Sequence, residues 1–129
     1  MNPPALYLHW LWLFLGCCAV LALLAADFIF VPIKFSLPYE DKFYHALAHA
    51  LPACWFFMLY QSTYERCALL TAFLALAFLN EVLQPLSPYH TFDLWDIVAN
   101  LAGIGIAWFW ARGRSLVRLN HFLANNFKA

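Results

Sequence analysis

Residues 5–26 form an unbroken apolar run in which His9 is the one strongly polar residue. As a helix such a run reaches about 30 Å, the thickness of a bilayer core. Lipid cannot hydrogen-bond a backbone, so a segment of this kind has few options other than a helix. A shorter apolar stretch continues to Val31. A secretory signal peptide is the rival interpretation, with Leu24-Ala25-Ala26 as its cleavage region. No Lys or Arg precedes the run, so the basic leader of a signal peptide is missing and a retained transmembrane helix is expected.

The rest of the chain repeats the pattern. Of 129 residues, 65% are hydrophobic, 19% aromatic and 11% charged, against about a quarter charged in a soluble domain. Seven basic residues balance seven acidic ones. This composition excludes a disordered chain and argues against an ordinary soluble enzyme. It also lacks the basic field of a nucleic-acid binder. Spans are expected at about 6–30, 43–60, 67–84 and 94–111, followed by a basic tail at 112–129. The expected fold is all-α: one polytopic membrane domain over 1–129, with four transmembrane helices in a bundle.

Pro32 and Pro38 interrupt regular structure after the first span, and Lys34, Glu40, Asp41 and Lys42 mark a polar loop. Pro52 is expected to kink the second span. Residues 61–66 read as a short turn, and Pro85 and Pro88 end the third span. In the tail, Leu116, Leu119, Leu123 and Phe127 have helical spacing, as in an amphipathic helix lying on a membrane surface. The stripe Ala99, Gly103, Ala107 permits close helix approach. Cys17, Cys18, Cys54 and Cys67 lie in or beside apolar segments with no CxxC pair, and read as small buried hydrophobes.

Four spans put both termini and the second loop on one side. That side carries Arg66, Arg112, Arg114, Arg118 and Lys128, five of the seven basic residues. The positive-inside rule then places both termini in the cytoplasm of a bacterial inner or plasma membrane. Trp10, Trp12, Tyr60, Trp108 and Trp110 would form an aromatic belt at the inner interface. His9 and His121 are isolated near that side and receive no role.

The same map gathers polar residues at the outer end. Asp41, His45 and His49 share one helical face at i, i+4 and i+8. Asn80, Glu81 and Gln84 close the third span, and Asp93, Asp96 and Asn100 open the fourth, with His90 in the loop between. A charge at bilayer depth costs about 3 kcal/mol on insertion scales, so these groups are expected to turn inward and line a pocket. His45, Glu81 and Asp96 are the candidate catalytic residues. Asp41, Lys42, His49, Gln84, His90, Asp93 and Asn100 are the candidate ligand contacts, with Lys42 on a phosphate or carboxylate. An imidazole held by Asp41 or Asp96 would suit proton transfer near neutral pH. The same groups would equally serve as interhelical hydrogen bonds and as a cap at Asp93.

These residues resemble those of the VanZ-like family of small bacterial membrane proteins. Asp41-Lys42-Phe43-Tyr44-His45 is similar to its DKxxH element, Glu81-Val82-Leu83-Gln84 to its ExxQ element, and residues 96–103 to its DxxxNxxG element. The resemblance covers residues 40–107 in order and spacing. The family usually carries an Arg about six residues ahead of the position of Asp96, where this chain has His90, which would hold an anion only when protonated. The resemblance implies action at the cell envelope: binding or modifying a lipid or lipid-linked envelope precursor, with an effect on glycopeptide antibiotics of the teicoplanin type. It supplies no reaction.

Other functions stay open at this level. A metal site would use His45 and His49 with Glu81 or Asp96, although no Glu stands between the two His as a zincin requires. A haem would need axial ligands on facing helices, which the sequence does not offer, so no cofactor is expected. A non-catalytic accessory protein would use the cluster as structural glue and the small-residue stripe for partners, a second copy among them. Four short spans make a small pathway for a transporter.

Overall fold

The computed structural model describes residues 3–29, 39–88, 90–116, 118 and 122–123. Four main helices run in order: α1 (Pro3–Ile29), α2 (Glu40–Leu59), α3 (Thr63–Leu83) and α4 (Leu94–Trp110). A single 3-10 turn, Gln84–Leu86, follows α3, and no strand occurs among the described residues. Two helical stretches, Leu6–Ala25 and Thr63–Leu86, are long and apolar enough to cross a membrane. The other two fall short of that measure for separate reasons. The first turns of α2 carry Glu40, Asp41 and Lys42, and α4 has only 17 residues, about 26 Å.

Local chemistry sets the helix boundaries. α1 opens on Pro3 and Pro4, residues suited to a first turn whose N–H groups have no partner. α3 begins at Thr63, inside the segment expected to be a turn. Ser62 Oγ accepts from the Glu65 amide at 3.2 Å while Glu65 Oε2 accepts from the Ser62 amide at 3.3 Å. This reciprocal cap lets the helix start early. α4 begins after Asp93, whose Oδ1 accepts from the Trp95 amide at 2.9 Å. α2 starts at Glu40, ahead of the expected 43, because its first charged residues are helical and paired.

Contacts between elements give their directions. Lys42 meets Asp96, Ala46 meets Gly103, Phe57 meets Trp108 and Gln61 meets the Arg114 carbonyl. Both helices ascend together, so α2 and α4 run parallel. Arg66 reaches Trp108 while Glu81 reaches Asp93, so α3 runs antiparallel to α4. His9 lies edge-on to Tyr60 and Trp12 to Trp55, so α1 runs antiparallel to α2. α2 is the hub and packs most extensively on α4. One end of the molecule collects Lys42, Glu81, Asp93 and Asp96; the other collects Arg66, Arg112 and Arg114.

The apolar core sits in the middle and towards the arginine end: Ala53, Phe56, Phe57, Phe73, Ala77, Ile104, Ala107 and Ala111. Phe57 stacks edge-on to Trp108 at 5.2 Å and to Phe73 at 6.1 Å, geometries that aromatic quadrupoles favour. α1 docks through Gly16, where an added Cβ would come within 2.8 Å of the Trp55 ring. Trp55 Nε1 donates to the Trp12 carbonyl at 3.0 Å across the same contact. The four cysteines are free, but Cys17, Cys18 and Cys67 are exposed rather than buried, on faces turned away from the core. Of the tail positions expected to form an amphipathic face, Leu116 is buried and Leu123 half-buried; Leu119 and Phe127 lie outside the described residues.

Of the four glycines, Gly103 sits at the closest contact, where an added Cβ would stand 2.1 Å from the Ala46 carbonyl oxygen, a backbone atom. A Cβ on Gly105 would meet nothing within 4 Å. Gly105→Ala should therefore be neutral or stabilising by up to about 1 kcal/mol through helix propensity. Gly103→Ala should destabilise by about 3 kcal/mol, because α2 and α4 must move apart. Thermal unfolding of the two variants in detergent checks the pair.

Candidate functional site

Lys42 sits at the centre of an ion cluster at the end opposite the arginines. The first turn of α2 presents it towards the start of α4. Its Nζ lies 2.6 Å from Asp93 Oδ2, 2.6 Å from Asp96 Oδ1 and 2.9 Å from Asp41 Oδ2. An ammonium has three hydrogens, and here three carboxylates engage it. The expected contact between Lys42 and an anionic ligand therefore competes with three internal partners. His45, one turn further along α2, places Nε2 3.6 Å from Asp96 Oδ2. That distance is too long for a direct hydrogen bond.

α3 supplies the buried floor. Glu81 is fully buried, and its Oε1 accepts from the Asp93 amide at 2.7 Å. Asp93 is thus held twice, by its own backbone on Glu81 and by its side chain on Lys42. Oε2 of Glu81 has no hydrogen-bond partner among the described residues. Nor do Nε2 of Gln84 and both amide atoms of Asn100, although both residues are buried. Leaving a buried polar atom unmade costs about 1–3 kcal/mol, so this layer keeps hydrogen-bonding capacity in reserve.

Of the ten residues singled out in sequence, Asp41, Lys42, His45, Glu81, Asp93 and Asp96 come together as one network. Gln84 is buried at the start of the 3-10 turn that caps α3, one turn beyond Glu81, and Asn100 is buried on α4, one turn beyond Asp96. His90 is half-buried in the loop, where its amide donates to the Ser87 carbonyl at 3.4 Å. His49 faces elsewhere. Its Nδ1 lies 3.2 Å from the His45 carbonyl oxygen, and its ring lines a cavity of about 20 Å³ with Val20, Leu23, Pro52 and Phe73. That space suits about one water. Pro52 cannot donate to the Ala48 carbonyl on the same wall.

No three His, Cys, Asp or Glu side chains among the described residues are placed to share a metal ion. Asn80, placed in the polar cluster from sequence but given no role of its own, is buried, and so is Ser87, which the sequence did not place there. Asn80 precedes Glu81 on α3. Ser87 lies between Pro85 and Pro88, and a small polar residue inside a proline-bracketed turn was the available sign. Compared with protein-family models, characterised proteins and solved structures, the chain matches none.

The cluster biases its own charges. The hydrogen bond from Lys42 holds the Asp41 carboxyl below its usual range, and that from Lys42 with the Trp95 amide does the same for Asp93. Burial opposes the charge on Lys42, but the bonds to Asp93, Asp96 and Asp41 outweigh it and hold the ammonium above its usual range. Depressed carboxylates add stability above their ordinary range, which is lost as pH falls through their folded values. A raised lysine adds stability below its ordinary value, which is lost as pH rises through its folded value. The stability contributed by Asp41 and Asp93 should thus fall on acidification below the ordinary carboxylate range. Lys42→Gln should invert the acid limb, since three unneutralised carboxylates gain by protonation. Thermal unfolding of both proteins between about pH 3 and pH 8 reads the sign.

Proposed function

We propose that the chain is a small polytopic membrane protein that binds a lipid or lipid-linked component of the cell envelope at the outer end of α2, α3 and α4. The observation that carries this is the inverted placement of polarity. Buried side chains include His49, Asn80, Glu81, Gln84, Asp96 and Asn100, whereas Trp10, Phe14, Leu21, Phe78, Val98, Ile106 and Phe109 are exposed. Soluble monomers rarely expose continuous apolar surface of that kind. In lipid the same surface meets a matching solvent, and polar groups gather inside.

The span assignment is supported by the alternating helix directions and by the two helices of sufficient length and apolarity. The other two then cross with help from their neighbours: α2 with its charged turn at the outer interface, α4 as a short span beside it. Arg66, Arg112 and Arg114 at the opposite end favour that end as cytoplasmic. Arg112 and Arg114 lie over the rings of Phe109 and Trp110, as interfacial anchors do. The VanZ-like resemblance of residues 40–107 maps its three elements onto the outer network and supports an envelope role, glycopeptide sensitivity included. Binding is favoured over catalysis, since His45 and Asp96 stand at 3.6 Å rather than as a hydrogen-bonded base pair.

Two measurements test this. Single cysteines placed at Tyr39 and at Arg114, in a background with the native cysteines replaced by alanine, should label from opposite sides of the membrane. Native mass spectrometry of the gently purified protein should show a retained lipid or lipid-linked mass that Glu81→Ala loses while keeping its helix content. A bare protein mass for both, with the variant folded, would leave the network as interhelical packing.

A further inference from the structure

The outer network is built mostly of acceptors, and its charge does not balance. Asp41, Asp93 and Asp96 surround one ammonium, so two negative charges are left over. Protonation of His45 beside Asp96 would still leave one. The carboxylates are stepped in depth. The Asp41 side chain is 59% exposed, that of Asp93 38% and that of Asp96 9%. Glu81 lies innermost, fully buried. Its carboxylate joins the cluster through the Asp93 amide, and its second oxygen has no hydrogen-bond partner among the described residues. That unmet oxygen is independent of the charge count.

We propose that the outer site recognises a primary ammonium group, the head group of an aminolipid being the form a membrane presents. The proposal rests on the lipid-binding function given above and names the chemistry of its ligand. Asp41 and Asp93 form the rim at which a ligand ammonium arrives. Lys42 already occupies the seat such a group would take, and its four-carbon stem lets it swing aside without moving the backbone. Glu81 Oε2 offers a second acceptor one layer inward. A free phosphate is disfavoured as the group in that seat, because every rim carboxylate repels it and the one ammonium is taken; the phosphodiester of an aminolipid would lie outside the rim, away from Asp41 and Asp93. A quaternary ammonium carries charge but no N–H, so it could not replace the contacts that the Lys42 ammonium makes with Asp41, Asp93 and Asp96.

The full chain in detergent micelles, followed by native mass spectrometry and thermal unfolding, tests this. The probes are phosphatidylethanolamine, phosphatidylcholine and phosphatidylglycerol with identical acyl chains, and free ethanolamine. Phosphatidylethanolamine should be retained about 10-fold better than phosphatidylcholine, the worth of one charge-assisted hydrogen bond. Asp41→Asn and Asp93→Asn should each erode the difference. Asn keeps the cap at position 93, and position 41 is exposed, so both variants should fold. Competition by free ethanolamine at equal concentration would support the ammonium chemistry with a soluble amine as its source. Equal or better retention of phosphatidylcholine or phosphatidylglycerol would overturn ammonium recognition while leaving lipid binding in place. Retention of none of the probes by the wild-type protein would overturn both.

Discussion

The approach of α2 to α4 at Gly103 sets the spacing on which the other contacts of this molecule depend. Only a residue without a Cβ lets the Ala46 carbonyl come so near the α4 backbone. Because the two helices run parallel, a close approach at their middle brings their first turns together at one end and their last turns together at the other. At the end where both helices begin this puts Lys42 within 2.6 Å of both Asp93 and Asp96. At the other end it lets Phe57 meet the Trp108 ring edge-on. α3 returns between them and closes both ends with one side chain each, Glu81 on the Asp93 amide and Arg66 on the Trp108 carbonyl.

The two ends solve the same problem with opposite chemistry. Arg66 lies 4.9 Å from the Trp108 ring centroid and 5.7 Å from that of Phe57, so its charge is met by quadrupoles and a carbonyl dipole. No carboxylate is needed there, and the planar guanidinium suits such a slot better than an ammonium would. At the Lys42 end the cation is an ammonium, its partners are carboxylates, and the anions outnumber it. Structural ion pairs tend to be matched, because an uncompensated buried charge is costly. An excess retained at one end, with unpaired atoms beneath it on Glu81 and Asn100, is a poor way to hold helices together and a good way to hold a donor.

Much of this was legible in the sequence because it follows from period and polarity. Four apolar segments and the breaks at Pro85 and Pro88 suffice to count helices, the expected breaks at Pro32 and Pro38 lying outside the described residues, and the count alone places Asp41, Glu81 and Asp96 at a common end. The small stripe through Gly103 announces a close contact, though not its partner, since Ala46 is one alanine among many. What escaped was the depth of burial and the choice of neighbours. His49 shares a helical face with His45 by spacing, yet a 100° step per residue spreads i and i+4 by about 40°. That is enough to turn one ring to Asp96 and the other to the α1 side. The early start of α3 was written in Ser62-Thr63-Tyr64-Glu65, a capping box whose charged residues masked it as a loop.

Lys42 shows why residue type alone misjudges a site. A lone lysine at the mouth of a polar cluster invites an anion, and in isolation it would accept one. Its three carboxylate neighbours come from two helices and a cap, and only the parallel pairing of α2 and α4 delivers all of them to the same nitrogen. Once they are there, the sign of the site is reversed: the lysine becomes an internal stand-in for the group the carboxylates would otherwise bind.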